Sequence, residues 1–213
     1  MNDLDKGILI SFEGSEGSGK STQMKLLYER LRTLDKSVIT TREPGGTQLG
    51  ESIRNLLKHA PEGQGMFPET ELLLFAASRA QLVREVIEPA LDLGKIILCD
   101  RFLDSTTVYQ GVARKIAEDP VQMINTFAVG NLLPNMTIVV DVPAEVGFER
   151  IRKRTGDLPD RMEQESIGFY KQVREGYLIL AKSLPERFLV VDGTQNADDT
   201  ADQIWDEIQS RIL

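Results

Sequence analysis

Cysteine and histidine are nearly absent from this sequence of 213 residues, which contains one of each. Cys99 alone supports neither a disulfide nor a metal cluster. It lies within an apolar run, so we expect a buried thiol in a reducing compartment. His59 stands at the end of a helical pattern and shortly before a proline, where we expect a helix-terminal or solvated role rather than catalysis.

Long apolar runs are missing as well. No segment approaches the about 18 apolar residues that a membrane-spanning helix needs. The N-terminus, MNDLDKG, is acidic and lacks the apolar region of a signal peptide. We therefore expect a cytoplasmic protein without a membrane partner. The net charge of −8 argues against a general nucleic-acid-binding surface, so no nucleic-acid partner is expected either.

A glycine-rich turn in residues 14–21, GSEGSGKS, fits the pattern G-x-x-x-x-G-K-[ST] at every fixed position. Glycines allow successive backbone N–H groups to converge on a phosphate, Lys20 supplies a cation, and Ser21 offers a hydroxyl to Mg²⁺. The alternative is a strand-to-helix connection that binds nothing, but the apolar run before the turn and the helical pattern after it favour nucleoside triphosphate binding. The predicted donor-binding residues are Gly14, Ser15, Glu16, Gly17, Ser18, Gly19, Lys20, Ser21 and Thr22.

Five short apolar or β-branched runs alternate with helical patterns. The predicted strands are 8–12, 37–41, 95–99, 136–140 and 187–191, and the predicted helices are 20–34, 48–59, 69–92, 104–116, 120–132, 145–154, 161–184 and 198–212. The strands lack clean alternation, as expected for strands that are covered on both faces. We therefore predict an α/β protein with a three-layer P-loop NTPase fold, in which helices flank both faces of a five-stranded parallel sheet. Residues 1–213 would form one such domain.

Charged residues follow the second and third predicted strands, at the sheet edge where ligands of such folds bind. Arg42 could capture an anion with its planar guanidinium, or it could be an ordinary salt-bridged arginine of a turn. Asp100 is placed to hold Mg²⁺ through water or to orient Ser21, and Arg101 follows it into the same cleft. The alternative for Asp100 and Arg101 is an acid and a base that close a strand.

Two groups of residues suit recognition of a planar base. Phe75 and Arg79, four residues apart on a helix, could stack on a base and donate to its edge. A core phenylalanine below a surface arginine is the alternative. Thr106, Tyr109 and Gln110 share another helical face, and polar groups with one aromatic ring suit a base or a sugar better than a core.

A cluster of cations interrupts this otherwise acidic chain at a helix end and the loop that follows. Its members are Arg150, Arg152, Lys153, Arg154 and Arg161. A solvated surface is one interpretation. Cations before a Gly/Pro loop also fit a short mobile lid, about 150–162, that closes over phosphates. Because the phosphate loop predicts polyanions nearby, we favour the lid.

Five segments in this order resemble those of the bacterial thymidylate kinases, a family of P-loop nucleoside monophosphate kinases: FEGSEGSGKST, TREPGGT, LLLFAASRAQ, CDRFLDSTTVYQG and RKRTGDLPDRME. The resemblance extends from residue 8 to about residue 180, and TREPGG with DRF-x-DS-x-x-x-YQG is its most specific part. It implies Mg²⁺-dependent transfer of the γ-phosphoryl group of ATP to dTMP, which yields dTDP and ADP for dTTP synthesis. It also implies a homodimer.

The resemblance assigns residues to the donor and to the transfer step. Lys20 and the loop backbone would hold the ATP phosphates, with Ser21 and Asp100 organising Mg²⁺. In one branch of the family an arginine follows the phosphate-loop acid, but here Gly17 follows Glu16. The chain therefore resembles the branch whose lid supplies the catalytic cation. The implied catalytic residues are Lys20, Glu16, Arg101, Arg154 and Arg150, with Arg154 as the lid cation that reaches the transferring phosphoryl group.

For the acceptor, the resemblance implies contacts with both ends of dTMP. Glu16 would lie near its sugar or phosphate, and Arg42 and Arg101 would bind the phosphate. For the base, the resemblance implies that Phe75 would stack on thymine and that Arg79 would donate to the carbonyl edge. Ser105, Thr106 and Gln110 would complete base recognition. Tyr109 would lie where a ribose 2′-hydroxyl would clash.

Two other functions remain open at this point. A nucleoside monophosphate kinase that acts on another base would share most of these features, and a substrate panel separates the two. A nucleotide-dependent switch that only hydrolyses its triphosphate would share the phosphate loop. However, the guanine motif N-K-x-D of GTP switches does not occur in the sequence, and a basic lid and a second anion site have no purpose in a switch.

Overall fold

The computed structural model describes residues 7–153 and 159–213. Five strands form one sheet: β1 Ile8–Glu13, β2 Val38–Arg42, β3 Ile96–Asp100, β4 Met136–Asp141 and β5 Phe188–Asp192. All neighbouring strands are parallel, in the order β2-β3-β1-β4-β5. The strand that leads into the phosphate loop is therefore central, and its carboxyl end lies beside that of β3.

Helices cover both faces of this sheet. They are α1 Lys20–Thr33, α2 Gln48–Lys58, α3 Pro68–Leu82, α4 Glu88–Asp92, α5 Leu103–Thr106, α6 Glu118–Val129, α7 Ala144–Lys153, α8 Ile167–Ser183 and α9 Ala197–Arg211. Neighbouring side chains of β1 pack on opposite faces: Ile10 lies in a core with Leu27 of α1, and Leu9 lies in a second core with Leu82 of α3. The predicted α/β fold with a helix-flanked parallel sheet is confirmed.

Several predicted helices differ in detail from the observed ones. The predicted helix 69–92 contains a π-helical stretch, Val83–Ile87, between α3 and α4, and α5 continues into a second one, Thr107–Ala113. The prediction that a helix spans 161–184 is wrong at its start, because α8 begins at Ile167. Ser166 caps α8, its Oγ accepting from the N–H of Phe169 at 3.2 Å.

The predicted lid lies only partly within the described residues. Residues 154–158, which include Arg154, lie outside the described part of the chain, and the mobility of the lid remains a prediction. At the far side of the lid, Asp160 pairs with Lys58 of α2 at 2.8 Å, and Arg161 pairs with Glu71 of α3 at 2.6 Å. The described end of the lid is therefore attached to α2 and α3.

A membrane-spanning helix requires about 20 predominantly apolar residues in sequence. None of the helices in the described ranges is long and apolar enough to cross a membrane.

Candidate active site

The phosphate loop connects β1 to α1 through backbone conformations that favour glycine. Gly14 and Gly19 have φ angles of 132° and 102°. A Cβ atom on Gly14 would lie 2.5 Å from the carbonyl oxygen of Val140. Gly19 precedes α1 and provides no side-chain cap, so the first N–H groups of this helix are available to an anion.

Lys20 folds back over the loop. Its Nζ donates to the carbonyl oxygens of Gly14 and Ser15 at 3.2 and 2.8 Å, and the residue is buried. Burial, together with the nearby Arg101 guanidinium, lowers the pKa of Lys20 to about 8. Because charged acceptors bind an ammonium group more strongly than neutral carbonyls do, incoming phosphates can take over these hydrogen bonds.

The pairing of β1 with β3 brings Asp100 to the phosphate loop. Phe12 lies opposite Asp100 in the strand register, and Ser21 Oγ donates to Asp100 Oδ2 at 3.1 Å. A hydroxyl and a carboxylate provide the hard oxygen ligands that Mg²⁺ prefers, usually in combination with phosphates and water. The described residues contain no group of three or more acidic, histidine or cysteine ligands. The Ser21 hydroxyl and the Asp100 carboxylate supply two oxygen ligands at one place, so they fit a Mg²⁺ ion whose other ligands come from a nucleotide and water.

Arg101 links the phosphate loop to the helix that follows β3. Its backbone is left-handed, with φ 72°. One terminal nitrogen donates to Glu16 Oε1 at 2.9 Å and to the Tyr109 hydroxyl at 3.0 Å, and the other donates to the hydroxyls of Ser105 and Tyr177 at 3.2 and 3.3 Å. Burial alone would raise the pKa of Glu16, but Arg101 and two lysines hold this pKa well below its usual range. Glu16 is therefore an anion.

Glu13, which the sequence alone does not single out, supports Arg101. Its carboxylate is fully buried, and Oε1 accepts from the backbone N–H of Phe102 at 2.8 Å. Oε2 accepts from the hydroxyls of Ser105 and Tyr177 at 2.6 and 2.7 Å. These bonds fix the residue after Arg101 and two of the hydroxyls that contact its guanidinium.

A cavity beside Arg101 collects most of the residues predicted to bind the acceptor. Its lining includes Glu16, Phe75, Arg101, Ser105, Thr106, Tyr109 and Gln110. Sequence reasoning misses four further lining residues, which are Glu43, Pro44, Lys58 and Met162. Thr106 Oγ1 and Glu43 Oε1 are buried and have no hydrogen-bond partner within the described ranges. The cavity therefore offers polar positions that a ligand can fill.

Arg79 does not belong to the lining of this cavity. It is 1% exposed, and its guanidinium donates to Glu43 Oε2 at 2.7 Å, to Asn125 Oδ1 at 2.8 Å and to the Phe102 carbonyl at 3.4 Å. Because Phe75 lines the cavity and Arg79 is buried, the alternative of a core phenylalanine below a surface arginine is wrong. Burial raises the pKa of Glu43 to about 7, against the effect of the Arg79 guanidinium. Direct donation from Arg79 to a base remains a prediction.

A larger cleft extends from the phosphate loop to α2. The cations that line it are Lys20, Arg42, Arg54, Lys58 and Arg101. Arg42 pairs with Glu51 at 3.0 Å, so the salt bridge of the turn is present, and the half-exposed guanidinium still borders the cleft. Sequence reasoning misses Arg54 and Lys58, although a spacing of four residues on one helix is a signal that both share a face.

Arg150 borders a separate pocket together with Gly193 and Gln195. Its guanidinium donates to the carbonyl oxygens of Gly17 and Ser18, both at 3.3 Å, and of Gly193 at 3.0 Å. Arg150 is therefore attached to the phosphate loop and to the connection after β5. Its contact with a transferring phosphoryl group remains a prediction.

These features define a class of protein. A phosphate loop follows the central strand of a parallel sheet, a cation-lined cleft opens at that loop, and a second cavity adjoins the cleft. This is the arrangement of a P-loop kinase, in which one space suits a nucleotide donor and the other an acceptor.

Comparison with known proteins gives the family. Residues 12–204 match the family model described as thymidylate kinase. A curated relative named thymidylate kinase from Kosmotoga olearia is 48% identical over 200 residues, which are 94% of each chain. Another from Pelobacter propionicus is 46% identical over 211 residues, 97% of this chain and 96% of the relative. The chain belongs to the thymidylate kinase family, and it is a nucleoside monophosphate kinase.

A solved structure agrees with this assignment. The crystal structure of thymidylate kinase from Ehrlichia chaffeensis matches with a TM-score of 0.76 and 35% sequence identity. The match covers 96% of this chain and 99% of the other.

Proposed function

We propose that this protein transfers the γ-phosphoryl group of ATP to dTMP in the presence of Mg²⁺, forming dTDP and ADP for dTTP synthesis. The observation that carries the proposal is the position of Glu16 and Arg101, which line both the cleft at the phosphate loop and the cavity that contains Phe75. A donor and an acceptor in these two spaces would meet at the same pair of charges. Family membership supports the choice of dTMP as acceptor.

The donor would bind at the phosphate loop. The loop backbone and Lys20 would hold the phosphates, and Ser21 and Asp100 would hold Mg²⁺, which neutralises phosphate charge when it is bound. The pocket at Gly193 and Gln195 lies beside the same loop and would take the adenine base.

The acceptor base would occupy the cavity. Phe75 would stack on thymine, and Thr106 and Gln110 would hydrogen-bond its edge, because each carries a polar group in the lining. The Tyr109 hydroxyl is held by Arg101 at 3.0 Å, and its ring would take the space that a ribose 2′-hydroxyl needs.

Transfer between two anions depends on positioning and charge neutralisation. Arg42, Arg54 and Arg101 border the cleft and would bind the acceptor phosphate, while Lys20 binds the donor. The attacking oxygen belongs to a phosphate that is already ionised at neutral pH, so no strong general base is needed. Arg154 would supply the lid cation that reaches the transferring phosphoryl group, a role that rests on the family resemblance alone.

The proposed function predicts a selective acceptor. A coupled ADP-release assay with ATP, Mg²⁺ and a panel of dTMP, UMP, CMP, AMP and GMP tests it, and we expect turnover selective for dTMP. Slow ADP release that no monophosphate changes would contradict the proposal and favour a nucleotide-hydrolysing switch. Turnover selective for another monophosphate would favour a different acceptor.

We also infer a homodimer. Leu73 of α3 and Met123 and Phe127 of α6 are 56%, 72% and 89% exposed and border one apolar surface. Contiguous exposed apolar side chains of this kind are typical of protein interfaces.

A cytoplasmic location would suit an ATP-dependent enzyme with a free, buried thiol at Cys99. The net charge of −8 suits a protein without a nucleic-acid partner.

A further inference from the structure

Gln110 borders the acceptor cavity, and its amide is held by Glu71 of α3. Gln110 Nε2 donates to Glu71 Oε1 at 2.8 Å, and both residues are 1% exposed. Among the described residues, none donates a hydrogen bond to Gln110 Oε1. Glu71 thus fixes one end of the amide and leaves the other end without a partner among the residues that the structure describes.

Two arginines keep Glu71 ionised. Arg114 donates to both carboxylate oxygens at 3.1 and 3.2 Å, and Arg161 lies 2.6 Å from Oε2. Burial alone would raise the pKa of Glu71, but the hydrogen bonds from Arg114 and Gln110 and the two positive charges lower it. An ionised carboxylate accepts hydrogen bonds and donates none. The Gln110 amide must therefore turn its NH₂ group toward Glu71 and its oxygen away from it.

We propose that Glu71 is a positioning residue that sets the base specificity of the acceptor cavity by holding Gln110 with its amide oxygen toward the ligand. The inference rests on the proposed function, because it takes a pyrimidine monophosphate as the occupant of this cavity. Thymine and uracil carry an N–H group at ring position N3, which can donate to Gln110 Oε1. Cytosine carries a lone pair at N3 instead, so two hydrogen-bond acceptors, cytosine N3 and Gln110 Oε1, would face each other.

The two other unpartnered groups of the cavity, Glu43 Oε1 and the Thr106 hydroxyl, do not make this distinction. Burial raises the pKa of Glu43 to about 7, so this carboxyl can donate when it is protonated and accept when it is ionised. The Thr106 hydroxyl is 1% exposed and has no partner within the described part of the chain. A hydroxyl can rotate to donate or to accept, so it suits either base. The fixed polarity of Gln110 is what separates the imide edge of thymine from the edge of cytosine.

Glu71→Gln tests the proposal, because an amide at this position can present either a donor or an acceptor to Gln110. Gln110 can then turn over and offer its NH₂ group to cytosine N3. We expect the ratio of kcat/KM for dTMP to kcat/KM for dCMP to fall by about 10- to 100-fold. Because dUMP carries the same N3–H group as dTMP, the ratio between these two substrates should stay within about twofold of wild type.

Glu165→Gln is the matched control. Glu165 pairs with the same Arg114 at 2.6 Å but has no recorded contact with Gln110. The control removes one carboxylate charge from the same network and leaves the amide of Gln110 fixed. We expect it to keep the dTMP-to-dCMP ratio of the wild type.

Several results would overturn the proposal. One is an equal loss of kcat/KM for dTMP and dCMP in Glu71→Gln, since that indicates a purely structural role. Another is a change of the dTMP-to-dCMP ratio in Glu165→Gln that is as large as the change in Glu71→Gln. Gln110→Met leaves Glu71 with both arginines and covers the case in which Glu71→Gln folds poorly. An unchanged dTMP-to-dCMP ratio in Gln110→Met also rejects the proposal. Wild-type protein that turns over no pyrimidine monophosphate would overturn the proposed function itself, and this inference with it.

Discussion

At the scale of single residues, the charge of Lys20 is sensitive to pH in the range where such enzymes are assayed. Burial lowers the pKa of Lys20 to about 8, so in the free protein this ammonium group loses its proton at a lower pH than an exposed lysine does. Phosphates bind the protonated form more strongly. We therefore expect the Kd for Mg²⁺-ATP, measured by titration calorimetry, to rise by up to about tenfold per pH unit above the pKa of Lys20.

Lys20→Met separates this titration from others in the site. The variant should bind Mg²⁺-ATP more weakly than wild type near neutral pH, and its Kd should no longer rise steeply in mildly alkaline solution. The same steep rise in both proteins would assign the titration to another group and contradict the prediction.

The sequence predicts those residues whose roles follow from a local pattern, and it misses those that act through the fold. Lys20 and Ser21 belong to a consecutive motif, so their positions could be predicted directly. Glu13 and Glu71 reach partners that lie 92 and 39 residues away along the chain. Only strand pairing and helix packing bring such residues together, and an isolated glutamate in an apolar or helical pattern carries no local signal of that contact.

At the scale of secondary-structure elements, α2 places two cleft cations and depends on a single side-chain cap. Thr47 is its N-cap, and Thr47 Oγ1 accepts from the N–H of Gly50 at 2.9 Å. Thr47→Ala leaves that N–H without a partner. We expect the free energy of unfolding, measured by denaturant titration, to fall by about 1 kcal/mol. Thr47→Ser keeps the hydroxyl and should stay close to wild type; an equal loss in both variants would assign the effect to the lost methyl group instead.

Element positions could be predicted better than element boundaries. The five predicted strands each lie within about two residues of the observed ones, because buried apolar runs between turns are a strong signal. The start of α8 was less predictable. Residues before it continue a helical pattern of charges, yet Asp160 Oδ1 accepts from the N–H groups of Met162 and Glu163 and holds them in a turn. Side-chain capping of this kind overrides a periodic pattern.

At the scale of the whole molecule, strand order explains why the two halves of the site meet. β1 lies between β3 and β4, so the phosphate loop opens beside the residues that follow β3. Arg101 donates a hydrogen bond across this junction to Glu16 of the loop. The parallel arrangement could be predicted from the alternation of strands and helices. The contacts of Arg101 with Tyr109 and Tyr177 could not, because they depend on how α8 packs against the π-helical stretch Thr107–Ala113.

The apolar surface of α3 and α6 makes the oligomeric state a further prediction. Phe127 is 89% exposed, and a large aromatic side chain left in water favours burial against a second copy that presents the same surface. We expect the wild type to elute in size-exclusion chromatography with light scattering at twice the chain mass. Phe127→Glu should elute as a monomer, because the burial of an unpaired carboxylate in an apolar interface is costly. Leu93→Glu, at a residue that is 71% exposed and does not border this surface, is the control and should remain dimeric. A dimer that survives Phe127→Glu but not Leu93→Glu would place the interface elsewhere.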